Sequence, residues 1–253
     1  MQALTRSLLL TAIVLLAGCA GSHATPTVPD HQAAWDSQDG NPTHATHSYL
    51  TEYACNQLQG SYPELVTYRA KIVDGANREI HDIALSDPTQ EALRIADGGN
   101  NWACSHPEVV WNTAKAKYAA GDKASAYWYL GILLHYVEDM GVPAHAFHVY
   151  HQSSPSNWDN FEVLAFQKWA PSYSSINKTD PGFSSPDQYV VWDGTWAAGD
   201  FNATWPGVTY KRTFFSTSWL WASSKEKTFM YNRQGRCAVA TKWALQCALN
   251  HWN

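Results

Sequence analysis

The stretch LGILLHYVEDMGVPAHAFHVYH, Leu130 to His151, begins as an apolar run and ends in imidazoles and carboxylates. It carries four of the chain's eleven histidines: His135, His145, His148 and His151. In a helix, residues four apart share a face, so His135 and Asp139 project to one spot at the end of the apolar run. Gly141 and Pro143 then turn the chain, and His145 follows on the next segment. A core that only had to pack would not choose these residues, because a buried charge needs a partner. Imidazole with carboxylate suits zinc, and a carboxylate can bridge two ions.

Outward from this stretch the pattern is helical. Lys123 to Val137 is apolar on nearly every face, the mark of a central buried helix. Pro107 to Tyr118 predicts a helix with Pro in its first turn and a close near Gly121-Asp122. Tyr49–Leu58, Pro63–Ile72, Asn157–Trp169 and Thr213–Asn253 also have helical spacing. Residues 171–210 are rich in Ser, Pro, Gly, Asp and aromatics, and predict a long irregular segment. Trp192, Trp196 and Trp205 fall within it, either packing the loop or forming a rim that meets lipid. The fold expected is all-α, a single multi-helix domain with long irregular loops.

The bulk numbers agree with one domain. The chain has 253 residues, 45% hydrophobic and 15% charged, where about 25% charged is usual. That length supports a sizeable core. The formal net charge is -5, and no Lys/Arg run marks a nucleic-acid footprint. Arg6 precedes an apolar stretch, Leu8 to Leu16, too short for a membrane span. It ends in Leu16-Ala17-Gly18-Cys19, which resembles the bacterial lipobox. Residues 1–18 are therefore expected to be a signal peptide, 19–34 a tether or propeptide, and 35–253 the working domain. The chain is expected to be exported, lipid-anchored through Cys19 or secreted.

Four further cysteines, Cys55, Cys104, Cys237 and Cys247, predict two disulfides in an exported chain. Three connectivities are possible, of which Cys55–Cys104 with Cys237–Cys247 is the simplest. No C-x-x-C pair is present to favour zinc ligation by these thiols.

The string YLGILLHYVEDMGVPAHA, Tyr129 to Ala146, resembles the signature of the bacterial zinc-dependent phospholipase C family, roughly YLG-x3-H-x3-D-x3-P-x-H-A. The fungal zinc-dependent single-strand nucleases share that fold and a related pattern. The resemblance implies an all-helical domain with up to three zinc ions in a cleft. It implies that Trp35 binds one ion through its amine and carbonyl, which requires a cut after Ala34, and that His47, or else His44, joins it. His135 and Asp139 match the helix ligands, with Asp139 bridging. His145 matches the first ligand of another ion, completed by His151 or His148 and by Asp159 or Glu162. Glu79 and Asp82 stand near the family's Asp that binds zinc and acts as general base. His106, or else His81, stands for its loop histidine.

The activity implied is phosphodiester hydrolysis, releasing diacylglycerol and a phosphorylated headgroup. Gln38, flanked by Asp36 and Asp39, stands where choline-preferring relatives carry an acidic residue, so choline preference is not implied. The expected partner is phospholipid at a membrane surface, met by a monomer, with no nucleic acid. Two alternatives remain open at this point: a nuclease or nucleotidase of the same fold, and a non-catalytic zinc-binding lipoprotein.

Overall fold

The apolar run around Leu130 forms the helix Lys123–Asp139, in which every residue from Leu130 to Asp139 is buried. Its start is fixed by Asp122, whose side chain accepts a hydrogen bond from the Ser125 N–H, satisfying one of the free donors of the first turn. The computed structural model describes residues 46–77, 102–147, 149 and 160–252. Among them run α1 (Thr46–Leu58), α2 (Glu64–Ala76), α3 (Trp102–Ala119), α4 (Lys123–Asp139), α5 (Pro143–Ala146), α6 (Phe161–Gln167), α7 (Gln188–Thr204), α8 (Thr217–Leu220) and α9 (Ser224–Trp252), with a 3-10 turn at Tyr173–Ser175 and no strand. The described residues form one compact unit, and the all-α expectation holds for them. No described helix is long and apolar enough to cross a membrane.

Helix α4 is the centre, and α2 is its most extensive neighbour, followed by α3 and α9. The approach of α2 to α4 is backbone against backbone. A Cβ on Gly75 would stand 2.1 Å from the Trp128 carbonyl oxygen, and one on Gly131 would stand 2.1 Å from that of Ile72. No side chain larger than hydrogen fits at either position. Around this seam, Leu65, Ile72, Leu130, Leu133, Leu134 and Val137 are fully buried in one hydrophobic cluster.

Three expectations are corrected. Residues 171–210 are not irregular throughout, because they contain the 17-residue α7. Its buried positions Tyr189, Val190, Asp193, Gly194, Trp196, Ala197, Asp200 and Phe201 recur at helical spacing. Trp196 and Trp205 are buried and Trp192 packs beside Trp196 and Trp243, so of the two readings of these rings the packing one holds. Second, Pro107 lies inside α3 rather than in its first turn, since the helix begins at Trp102. Third, Cys237 and Cys247 are free thiols on the same helix. Ten residues of helix span about 15 Å, beyond the reach of a disulfide. Cys55 is also a buried free thiol; the side chain of Cys104 lies outside the described residues.

Two outcomes follow. Gly131→Ala is expected to lower unfolding stability by about 1–3 kcal/mol in chemical denaturation through overpacking, whereas Gly60→Ala, with nothing within 4 Å of the added Cβ, should not. Alkylation of unfolded, unreduced protein is expected to modify Cys237 and Cys247 separately; a peptide cross-linked between them would contradict α9.

Candidate metal centre

The end of α4 meets the start of α1 and the end of α2. His47, the second residue of α1, His135 and Asp139 are all buried, and one ligand atom from each lies within 4.8 Å of the others. The His47 and His135 rings stack, with centroids 4.2 Å apart and planes tilted by 16°. His135 Nε2 lies 3.1 Å from Asp139 Oδ2, and His47 Nε2 lies 3.5 Å from Asp139 Oδ1. Each imidazole therefore addresses its own oxygen of a single carboxylate.

The far side of each ring decides its proton. His135 Nδ1 is 2.8 Å from the Ala76 carbonyl oxygen, which can only accept, so Nδ1 carries the hydrogen. That carbonyl ends α2, and the glycine seam sets its position. His47 Nδ1 is 2.7 Å from Glu138 Oε2, and the Thr51 hydroxyl donates to Glu138 Oε1 at 2.7 Å. With both Nδ1 atoms occupied, both Nε2 lone pairs converge on Asp139. A carboxylate cannot donate, so something positive belongs between these acceptors: a proton on each ring, or one divalent ion in place of both.

The geometry fits an ion. Two ligands of a tetrahedral zinc, each about 2 Å from it, stand roughly 3.3 Å apart, close to the 3.1 and 3.5 Å separations here. Asp139 Oδ1 is buried and makes no hydrogen bond. Each ring is held by its other nitrogen, His47 by the Glu138 carboxylate and His135 by the Ala76 carbonyl, the arrangement usual for metal-binding histidines. With an ion bound, one divalent charge would match the two carboxylates, Asp139 and Glu138, beside two neutral imidazoles.

Electrostatics reflect the crowding. Burial alone would raise the Asp139 carboxyl, but the charges of His135, His145 and His47 outweigh it and hold Asp139 at about 2. In metal-free protein that depressed value stabilises the fold above the ordinary carboxylate range, and the contribution is lost as pH falls toward about 2. Burial pushes Glu138 well above its usual range, against the pull of the Thr51 hydrogen bond and of His135.

Beyond the trio, Val142 N–H donates to the Asp139 carbonyl at 2.9 Å, and α5 then presents His145. His145 Nε2 lies 3.1 Å from Glu162 Oε1, in the first turn of α6. The turn between Asp139 and His145 is clamped from α9. Buried Arg233 donates from Nε to the Gly141 carbonyl at 3.1 Å, while its guanidinium pairs with Asp200 at 2.9 Å and Asp193 at 3.1 Å on α7. A Cβ on Gly141 would stand 2.6 Å from Cys237 Sγ, so the turn packs tightly against α9.

Of the residues expected from sequence, the structure brings together His47, His135 and Asp139, with His145 near enough to act on Asp139. Glu162, the rival of Asp159, contacts His145. Trp35, His44, Glu79, His81, Asp82, His148, His151 and Asp159 lie outside the described residues, as does the side chain of His106, which falls in α3. Glu138, Thr51 and Arg233 were not anticipated. Glu138 had a signal, a second carboxylate beside Asp139 on a helix with no polar face.

Comparison with protein-family models finds no match to this chain, and comparison with curated proteins finds none either. What the structure defines is an all-α domain with a buried His-His-Asp group able to hold a metal ion.

The site predicts its own dependence on the residues behind the ligands. Glu138→Gln keeps the size of the side chain but removes its charge, and affinity for a divalent ion, probed with zinc, is expected to fall about 10–100-fold in chelator competition. Zinc uptake should also weaken as pH falls through the ordinary histidine range near 6.5, with protons released on binding.

Proposed function

We propose that the protein is a zinc-dependent phosphodiesterase, and specifically a phospholipase C that hydrolyses glycerophospholipids to diacylglycerol and a phosphorylated headgroup. The observation that carries this reading is the convergence of His47 Nε2, His135 Nε2 and both Asp139 oxygens, with the ring tautomers set by Glu138 and the Ala76 carbonyl. The likeness of Tyr129–Ala146 to the phospholipase C signature supports the same reading. Held by His47, His135 and Asp139, zinc would supply the positive charge that polarises a phosphoryl oxygen, acidifies water and steadies the leaving oxygen.

The chain's own residues have separate tasks. Asp139 spans the two histidines and fixes the spacing of the site. Glu138 and Thr51 hold His47 in one tautomer, so its Nε2 remains a ligand rather than a proton carrier. His145 and Glu162, 3.1 Å apart, are the residues that would hold a further ion. Arg233 is committed to Asp193, Asp200 and the Gly141 carbonyl, so its guanidinium does not serve the phosphate. In this reading substrate phosphate is met by metal rather than by arginine.

Two measurements test the proposal together. Purified protein is expected to contain zinc and to hydrolyse a chromogenic phosphocholine ester or phospholipid, with activity lost to chelator and restored by zinc. Asp139→Ala should lower zinc content and reduce turnover by at least about 100-fold. Cleavage of single-stranded DNA with phospholipid untouched would move the assignment to a nuclease. Bound zinc with neither activity would leave a metal-binding protein and withdraw the enzyme.

A further inference from the structure

Residues 201–232 contain one carboxylate, Glu226, and it is buried, accepting from the Ser223 N–H at 2.8 Å. The same span exposes Lys211, Arg212 and Lys225, with Lys227 part-exposed. Exposed Lys168 joins them from the end of α6, 5.9 Å from the centre of the Trp221 ring. None of these five cations has a carboxylate partner among the described residues. Lys117 and Lys123, on the far helices, are by contrast paired with Asp122 and Glu64.

Three of these cations, Lys168, Lys225 and Lys227, lie over indole rings. Lys225 lies over Trp205 at 5.4 Å and Lys227 over Trp221 at 5.5 Å. Trp205 packs against Phe214 and Trp219, and Phe214 meets Trp219 at 4.1 Å between centroids. Phe214, Trp219 and Trp221 are each only partly buried. Ahead of Lys211, the turn Pro206-Gly207-Val208 projects outward. Gly207 has φ 75°, which a side chain would strain, and Val208 is 41% exposed. The face is thus an apolar tip, half-buried indoles beneath it, and unpaired cations around it.

We infer that this face, built from the loop 205–213, α8 and the start of α9, docks the protein on an anionic phospholipid surface. Charge complementarity selects the occupant. In a chain of net charge -5 this face gathers five cations without a carboxylate partner among the described residues, and an anionic bilayer attracts clustered cations. Indoles beside lysines suit the headgroup layer, where an amphipathic ring keeps one edge wet. The face also adjoins the candidate metal centre. Asn160 N–H donates to the Phe215 carbonyl at 2.8 Å, two residues before Glu162, which contacts His145. The inference deepens the phospholipase reading by naming the surface on which it would work, and it is tested without turnover.

The full chain carrying Cys19→Ser, so that no acyl anchor contributes, would be sedimented with vesicles of phosphatidylcholine alone and with added phosphatidylglycerol. Anionic vesicles are expected to bind it more tightly, and binding should fade with salt. Charge reversal at Lys211 and Arg212, or at Lys225 and Lys227, should lower the partition coefficient on the order of tenfold or more, with circular dichroism unchanged. Asp139→Ala, placed in the metal centre, should bind vesicles like the parent, so loss of docking and loss of catalysis are read separately. Equal binding to both vesicle types, or reversal variants that bind like the parent, would overturn the inference. So would binding to a single-stranded oligonucleotide, abolished by the same reversals, with vesicles ignored.

Discussion

The candidate metal centre depends on how closely α2 can approach α4. Gly75 and Gly131 let the two backbones touch, and this puts the Ala76 carbonyl within 2.8 Å of His135 Nδ1. One hydrogen bond then fixes the ring's tautomer and turns Nε2 toward Asp139. The rest of the arrangement follows from α4 being both the core helix and the ligand helix. Leu130, Leu133, Leu134 and Val137 anchor it on their faces, so His135 and Asp139 inherit a rigid platform. Sites on packed helices hold their geometry better than sites on loops.

A second constraint acts from the opposite side. Arg233 is fully buried and would be very costly there without partners. Asp193 and Asp200 supply the charge, and the Gly141 carbonyl accepts from Nε. The network ties α7 and α9 to the one turn separating Asp139 from His145. Position along the chain and position in the site are thereby coupled. A shift of α9 against α7 would be felt at that turn before it reached any ligand.

Much of this was legible in the sequence, and for physical reasons. The uninterrupted apolar character of Lys123–Val137 leaves few options besides a buried helix, and the four-residue spacing of His135 and Asp139 puts them on one face. His47 was legible only through the family resemblance, since nothing local in THSYLTEYA points to a partner 88 positions away. Helix α7 was hidden because Gly, Asp, Thr and β-branched residues are weak helix formers; its buried spacing is helical all the same, and packing decides. Its two aspartates read as loop polarity, whereas both answer an arginine from α9. The Cys237–Cys247 pairing failed because an even count of cysteines says nothing of the rigid rod on which both lie. Glu138 was overlooked because pattern reading stops at ligands, while the groups that orient ligands carry no spacing rule of their own.

The placement of His47 has a consequence for the chain as a polymer. It opens α1, while His135 and Asp139 close α4, with α2 and α3 between them in sequence. An ion held by all three would act as a removable cross-link closing a loop of about 90 residues. In the chain-entropy account, a covalent bridge over a loop of that size restricts the unfolded chain by roughly 4–5 kcal/mol. The described cysteines provide no such bridge. Metal would then do the work of a disulfide, with stability set by the metal supply instead of the redox state of the surroundings.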